Sequence, residues 1–163
     1  SYRPDQELSD TLQILDELGI GRVAIVGTSR GGIVAMAMAA RSLGRIAGVC
    51  FNDIGPRIEP DGLVRIWGYL GAESQLAGWD DAVAALKRTT PGFESLTEAQ
   101  WHVFARRVFT ESHGKPDSDH DPGLAANFPP VEMIKAGKVP EMWGLFDLLS
   151  GVPCLVLRGE HSD

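Results

Sequence analysis

The first part of the chain begins with an amphipathic pattern. Leu8, Leu12 and Leu15 recur at the spacing of one helical face between residues 5 and 18, and acidic side chains fill the opposite face. Gly19 supplies a helix stop. We therefore predict a helix over residues 5–18 that packs through its leucines.

A short β-branched segment and an entirely apolar segment come next. Residues 22–26 are bounded by glycines and are too short for a helix, so they predict a strand that is buried on both faces. Residues 33–40 are apolar on every side, as in a central buried helix, and residues 46–51 predict a second strand. The order helix, strand, helix, strand predicts parallel strands joined by crossovers, which is an α/β fold.

The pattern changes after Pro56. From residue 57 to residue 150 the chain shows helical segments broken by Gly and Pro and no convincing strand. Thr97-Glu98-Ala99-Gln100 has the form of a capping box, which predicts a helix that ends near Phe109. A segment of about 95 residues is too long for a simple crossover, so we predict a helical insertion.

Strand-like sequence returns at residues 154–157, and the domain organisation follows. Residues 1–56 and 151–163 are expected to form an α/β core, a mostly parallel sheet with flanking helices, and residues 57–150 a helical lid inserted into it. The 163 residues are enough to bury a core. The chain begins with neither an initiator Met nor an opening strand and ends directly after a strand, so both ends look cut.

Composition and charge exclude several classes of function. A formal net charge of −7 disfavours a nucleic-acid surface, and no apolar stretch reaches the roughly 18 residues that a membrane span needs. Cys50 and Cys154 lie in strand-like segments, which predicts two buried thiols without a disulfide and is typical of a cytoplasmic protein. We expect a small-molecule substrate and neither a nucleic acid nor a membrane as partner; the oligomeric state stays open.

The segment Gly27-Thr28-Ser29-Arg30-Gly31 carries the strongest chemical signal. Gly-x-Ser-x-Gly is a weak pattern by itself, but here Ser29 directly follows a predicted strand and directly precedes a predicted helix. So sharp a turn strains the serine backbone and requires small neighbours, Gly27 and Gly31, while Gly32 lets the helix pack closely on the sheet. The turn would raise the Ser29 hydroxyl above the strand ends, where a base can reach it.

Arg30, at the start of this helix, has two expected roles. Its backbone N–H would point to where an oxyanion forms, aided by the helix dipole. Its side chain either binds a substrate carboxylate or forms a salt bridge behind the site. The alternative for the whole segment is a glycine-rich turn with an incidental serine, such as a phosphate cradle, but neither a dinucleotide fingerprint nor a phosphate-loop lysine is present.

Three segments, in the same order, resemble the α/β-hydrolase superfamily. Residues 26–32 resemble its nucleophile elbow, residues 52–56 resemble the point where the core gives way to a lid, and residues 155–163 resemble the late strand and loop that deliver the catalytic acid. The resemblance implies the α/β-hydrolase fold and a serine nucleophile, with no cofactor and no metal. It also implies that Asp163 is the triad acid that orients the base; Asp53, after an earlier strand, is the alternative acid.

The catalytic base is missing. In this family the histidine lies beyond the acid in sequence, whereas His102, His113, His120 and His161 all precede Asp163. A serine hydroxyl without an adjacent base is a poor nucleophile. We therefore expect a piece of a longer hydrolase, inactive by itself, with the base and the first oxyanion donor outside these residues.

A cluster of acidic residues invites a metal interpretation. Residues 117–123 place carboxylates at alternate positions, as in a calcium loop. Pro122 stands where that loop requires Gly, and Phe128 stands where it requires a bidentate Glu. A lid turn is therefore favoured over a metal site.

Aromatic side chains in the predicted lid could line a substrate pocket, although aromatic residues at helical spacing are more often core. The candidates are Trp67, Tyr69, Trp101, Phe104, Trp143 and Phe146. We expect two of the six to face substrate.

These features together predict a hydrolase of small carboxylic esters or lactones that works through a serine acyl-enzyme. C–C bond hydrolases, acyltransferases and perhydrolases share the same elbow, and a non-catalytic ligand-binding module would keep the fold with an incomplete triad. By the same resemblance, Ser29 argues against haloalkane dehalogenases and epoxide hydrolases, which place Asp at this position.

Overall fold

The computed structural model describes residues 2–70, 76–90 and 92–160. They form two compact units: the described residues of Ser1–Trp67 with Asn127–Asp163, and those of Gly68–Ala126. The second unit is therefore shorter than the lid predicted from the sequence. One cause is the segment before the last strand, which returns to the first unit: Met142 N–H donates to the Pro56 carbonyl at 2.7 Å.

The elements predicted for the core are present, and their ends differ from the expected ones by no more than three residues. In chain order the helices and strands are α1 Pro4–Glu17, β1 Val23–Thr28, α2 Arg30–Ser42, β2 Ile46–Asn52, α3 Pro60–Leu70, α4 Trp79–Thr89, α5 Glu98–Val108, β3 Phe109–Ser112, β4 Lys115–Ser118, α6 Val131–Lys135, α7 Trp143–Phe146 and β5 Cys154–Leu157. Short 3-10 helices cover Leu43–Arg45, Pro122–Asn127 and Asp147–Leu149. Among the described helices, none combines the length and the hydrophobicity needed to cross a membrane.

The first unit is built on a parallel sheet in the order β1-β2-β5, as the alternation of helices and strands predicts. Thr28, Asn52 and Leu157 are in register at the ends of the three strands. Parallel strands present their carboxyl ends at one edge of the sheet, and in α/β proteins this edge carries the ligand site. The residues after β1 and β2 are therefore placed together.

One face of this sheet packs on helices. Leucines of α1, the small and sulfur-containing side chains of α2, and Phe51 and Val49 of β2 form a continuous buried core. The opposite face is exposed among the described residues: Val26 is 76% exposed and Leu155 55%. The expectation that β1 is buried on both faces is therefore wrong for this part of the chain, because side chains alternate along a strand and only one set meets helices.

The two cysteines are free and lie on adjacent strands. Cys50 pairs with Leu155, while Cys154 pairs with Val49. The two thiols therefore point to opposite faces of the sheet and are not placed for a disulfide. Cys154 is exposed and not buried as expected, although the burial that it retains raises the pKa of its thiol.

The second unit packs α4 on α5. Ala82, Val83, Leu86, Trp101 and Ala105 form its buried core. The predicted capping box is confirmed, with the Thr97 N–H and the Gln100 N–H each bonded to the other residue's side chain.

An antiparallel hairpin, β3 and β4, was not predicted. Its strands read Phe-Thr-Glu-Ser and Lys-Pro-Asp-Ser, which lack alternating hydrophobic residues. The turn residues His113 and Gly114 have φ of 51° and 76°, and positive φ at both positions is what a type I′ turn needs. The hairpin is thus set by its turn more than by its side-chain pattern.

Candidate active site

Ser29 occupies the corner between β1 and α2 with φ 47° and ψ −115°. These angles lie outside the regions that residues with a Cβ normally populate. Such a conformation costs on the order of 1–3 kcal/mol and persists only where surrounding structure enforces it. The strained turn predicted from the sequence is therefore present, and Ser29 is exposed at the carboxyl edge of the sheet.

Two glycines allow the corner to form. A Cβ on Gly27 would lie 2.7 Å from Gly32 N and 2.8 Å from the Gly31 carbonyl carbon and oxygen, all backbone atoms. A Cβ on Gly32 would lie 2.4 Å from Ile54 Cγ2 and 3.2 Å from Phe51 Cδ1, so this glycine lets α2 approach the sheet, as expected. Gly31 differs from the prediction, since a Cβ there would meet no described atom within 4 Å apart from its chain neighbours and the backbone of its own helix.

Backbone hydrogen bonds hold Ser29 from both sides. Its N–H donates to the Asn52 carbonyl at 3.3 Å, and its carbonyl accepts from Gly32 N–H at 2.9 Å. Next to it, Asn52 Nδ2 donates to Thr28 Oγ1 at 3.1 Å. The corner is thus tied to the neighbouring strand and to the first turn of α2.

Arg30 is the first residue of α2, where a backbone N–H has no partner within the helix. Its side-chain Nε lies 2.8 Å from each carboxylate oxygen of Glu7 in α1. The side chains are 34% and 29% exposed. Of the two roles considered for this side chain, the structure shows the salt bridge; the role of the backbone N–H stays a prediction.

The two candidate acids differ in what the structure says about them. Asp163 lies outside the described residues. Asp53 directly follows β2, is exposed, has φ of 55°, and donates its N–H to the Leu157 carbonyl at 2.8 Å. It lines a cavity of about 260 Å³ between the loop 53–59 and residues 156–158. Asp53 thus sits at the same sheet edge as the corner.

The described histidines all make contacts within the second unit. His102 Nε2 lies 3.4 Å from Asp80 Oδ1, and His113 Nδ1 lies 3.1 Å from the hydroxyl of the preceding Ser112. His120 Nε2 lies 3.3 Å from the Leu70 carbonyl. These contacts account for the three side chains by local structure, and the interpretation that none is the base stays a prediction. His161 lies outside the described residues.

One of the predicted pocket aromatics is a core residue of the second unit, and another packs against that core. Trp101 is only 4% exposed and belongs to the cluster between α4 and α5, and Phe104 packs beside it at a ring separation of 5.9 Å. The prediction that Trp101 lines a substrate pocket is therefore wrong for this structure, because its ring is enclosed by Ala82, Leu86 and their neighbours.

The other aromatic candidates lie elsewhere. The Phe146 ring is 5.5 Å from that of Phe51 under the sheet, and Trp143 meets Phe146 edge-on at 6.1 Å while staying 49% exposed. Trp67 is 42% exposed. The side chain of Tyr69 is outside the described part. Trp143 and Trp67 therefore remain open to a ligand, and their role stays a prediction.

In the acidic segment 117–123, two carboxylates accept hydrogen bonds from nearby backbone N–H groups. Asp117 Oδ1 accepts from Ser118 N–H at 2.8 Å, and Asp121 Oδ1 accepts from Gly123 N–H at 2.7 Å. Across residues 2–70, 76–90 and 92–160, no three His, Cys, Asp or Glu side chains are grouped so as to hold a metal ion. These contacts support a turn here.

A parallel sheet with a strained serine between strand and helix defines a class of protein, and the family comparison agrees with it. The model of the Alpha/beta hydrolase family matches residues 1–157. The chain belongs to this family, and the fold and family expected from the sequence are confirmed.

The chain is also similar to individual proteins of known sequence or structure. The chain is 29% identical over 168 aligned residues to the 3-hydroxybutyrate-oligomer hydrolase of Cupriavidus necator, covering 99% of this chain and 57% of that protein. It is 37% identical to the crystal structure of an alpha/beta hydrolase from Novosphingobium aromaticivorans, with a TM-score of 0.82, covering 98% of this chain and 56% of the other. An E-2-(acetamidomethylene)succinate hydrolase, 16% identical with a TM-score of 0.68 over 98% of this chain and 66% of that one, shares the fold. The chain thus spans little more than half the length of the first two.

Proposed function

We propose that Ser29 is the nucleophile of a hydrolase that cleaves small carboxylic esters or lactones through an acyl-enzyme. The observation that carries this proposal is the corner itself. Ser29 has a positive φ at the exposed carboxyl edge of the sheet, between a strand and a helix whose first N–H belongs to Arg30. A merely structural serine would not need this strained conformation.

In the proposed reaction, Ser29 Oγ attacks the ester carbonyl carbon while a histidine base takes the hydroxyl proton. The oxyanion that forms accepts a hydrogen bond from Arg30 N–H, strengthened by the positive end of α2. The histidine then gives its proton to the leaving alcohol, and water attacks the acyl-enzyme in the second half of the cycle. Asp163 orients the histidine, with Asp53 as the alternative. The histidine and the other oxyanion donor, called the first donor above, are proposed to lie outside these 163 residues.

The substrate class that has support is a short ester of a hydroxy acid. The curated relative at 29% identity is a 3-hydroxybutyrate-oligomer hydrolase, and nearly the whole chain aligns with it. We therefore take linear 3-hydroxybutyrate dimers and trimers as the first small-molecule substrates to test. A cytoplasmic location is proposed on the two free thiols, which point to opposite faces of the sheet.

The test uses the full-length gene product and a fluorophosphonate probe, with Ser29→Ala as the variant and Ser42→Ala, at the far end of α2, as the matched control. We expect the probe on the peptide that contains Ser29, and a loss of ester turnover of roughly 10³-fold or more in Ser29→Ala alone. The 163-residue chain by itself should not turn over p-nitrophenyl butyrate.

Each other outcome contradicts part of the proposal. No labelling of the full-length protein, together with tight binding of uncleaved esters, would indicate a ligand-binding module. Cleavage of a C–C bond substrate with no ester turnover would place the protein in another branch of the family. Ser29-dependent turnover by the 163-residue chain would show that the base lies within it.

A further inference from the structure

Asn52 contacts the corner twice, by two different groups. Its backbone carbonyl accepts from Ser29 N–H at 3.3 Å, and its side-chain Nδ2 donates to Thr28 Oγ1 at 3.1 Å. Thr28 and Asn52 are also the last paired residues of β1 and β2. The side-chain bond therefore links β1 and β2 at their last paired residues, directly before Ser29.

Asn52 is itself held firmly. It lies on β2, the central strand, in register with Leu157 of β5. The next residue, Asp53, turns into the left-handed region with φ of 55° and donates its N–H to the Leu157 carbonyl at 2.8 Å. The three strand ends are thus joined in a row, and Asn52 bonds to the end of β1 and to Ser29 through two different groups.

We infer that Asn52 is a positioning residue for Ser29, acting through the hydroxyl of Thr28. This inference rests on the proposed function of Ser29. A strained residue keeps its conformation only if its surroundings fix it. The bond from Asn52 Nδ2 to Thr28 Oγ1 fixes the residue directly before Ser29. Without it the corner can relax, and the hydroxyl leaves the line of attack.

The test compares side chains of equal shape in the full-length gene product. Thr28→Val keeps the β-branched shape and removes the hydroxyl, whereas Thr28→Ser keeps the hydroxyl; Asn52→Leu removes the donor. We expect Thr28→Val and Asn52→Leu each to lower kcat and the fluorophosphonate rate constant by roughly five- to tenfold, the effect of one hydrogen bond, with KM changed less than about twofold. Thr28→Ser should react at close to the wild-type rate. The double variant should be no slower than either single one, because both remove the same bond.

Hydrogen exchange of the peptide that spans the corner gives a readout that does not depend on activity. We expect faster exchange at Ser29 in Thr28→Val, with the melting temperature almost unchanged. The inference is overturned if Thr28→Val exchanges and reacts like the wild type, if the two single effects multiply in the double variant, or if the variants lower the melting temperature alone. A wild-type protein that the probe never labels at Ser29 would instead refute the proposed function, and the exchange data would still decide whether Asn52 holds the corner.

Discussion

The two units use positive φ angles in different ways. In the second unit His113 has φ of 51°, but it is the first residue of a two-residue hairpin turn for which that conformation is normal. In the first unit Ser29 and Asp53 have φ of 47° and 55° at the ends of two parallel strands. The first case is explained by local turn chemistry. At Ser29 the positive φ requires the close approach of Gly27 to the start of α2 and the bonds to the neighbouring strand. This difference is why we take the sheet edge as the candidate site.

Their cores differ as well. The first unit packs helices on one face of a sheet whose other face is exposed among the described residues. The second unit packs two helices on each other, and polar contacts reinforce the pair: Lys87 bonds to Glu98, and Arg106 lies 4.3 Å above the ring of Trp79. We therefore expect substitutions in the second unit to affect stability, and substitutions around the corner to affect both stability and reactivity.

The largest expected effect concerns Trp101. Trp101→Ala removes a side chain that is 4% exposed and leaves a cavity between α4 and α5. We expect a loss of about 3–5 kcal/mol in the free energy of unfolding, measured by denaturant titration, with faster hydrogen exchange in α4 and α5. Val103→Ala, on the same helix and 54% exposed, is the control and should change stability by less than about 0.5 kcal/mol. Equal effects of the two substitutions would show that Trp101 is not part of a packed core.

The second prediction separates the glycines of the corner. Gly27→Ala places a Cβ 2.7–2.8 Å from backbone atoms of Gly31 and Gly32, which cannot move aside as a side-chain tip can. We expect a loss of roughly 2–3 kcal/mol in the free energy of unfolding and a large drop in Ser29 labelling. Gly31→Ala meets only open space and should retain both. If Gly31→Ala is as damaging as Gly27→Ala, the small residue at that position serves a contact outside the described residues.

The corner of the first unit and the helix start of the second could both be predicted from the sequence. The β-branched segment before Ser29 and the apolar segment after it have the periods of a strand and a helix, and a serine between glycines at their junction has few other structural explanations. Thr97 and Gln100 have the spacing of a capping box, and a box formed. These predictions succeed because each depends on residues that are close in sequence.

The remaining features depend on residues that are distant in sequence. The bond between Thr28 and Asn52 requires the register of β1 on β2, and the salt bridge between Glu7 and Arg30 requires the packing of α1 beside α2. Neither can be read from spacing. The burial of Trp101 could have been predicted from the sequence. Ala105, four residues later, lies on the same helical face, and a small residue there is typical of close helix packing.

A smaller effect is expected at the beginning of α5. Thr97→Ala removes the oxygen that accepts from Gln100 N–H, and loss of such a cap costs about 1 kcal/mol. We expect the free energy of unfolding of the second unit to fall by this amount, with Ser29 labelling unaffected. Thr97→Ser keeps the oxygen and should restore most of the stability. A Ser variant as unstable as the Ala variant would mean that packing of the Thr methyl group, and not the cap, is what matters.

The smallest effect is expected in the first unit, at the salt bridge between Glu7 of α1 and Arg30 of α2. A substitution there tests whether α1 helps to position Ser29. Glu7→Gln removes the negative charge 2.8 Å from Arg30 Nε, while the amide can still accept a hydrogen bond. Because both side chains are about one-third exposed, solvent screens the pair, and we expect a loss of only about 0.5 kcal/mol in the free energy of unfolding. The control is Glu17→Gln, an exposed residue on the same helix whose carboxylate accepts from Gln13 Nε2.

The rate at which the fluorophosphonate probe labels Ser29 distinguishes two roles for the Glu7–Arg30 pair. Arg30 provides the first N–H of α2, so a displaced side chain would shift the proposed oxyanion donor and slow acylation by the probe more than stability alone would suggest. Salt gives an independent check, because about 1 M NaCl shortens the screening length to roughly 3 Å. It should reduce part of the difference between the wild type and Glu7→Gln, since a partly buried pair is screened less than an exposed one, and should leave Glu17→Gln unchanged relative to wild type. If Glu7→Gln reacts with the probe at the wild-type rate at every salt concentration, the salt bridge only fastens α1 to α2, and the corner owes its geometry to the sheet and its glycines.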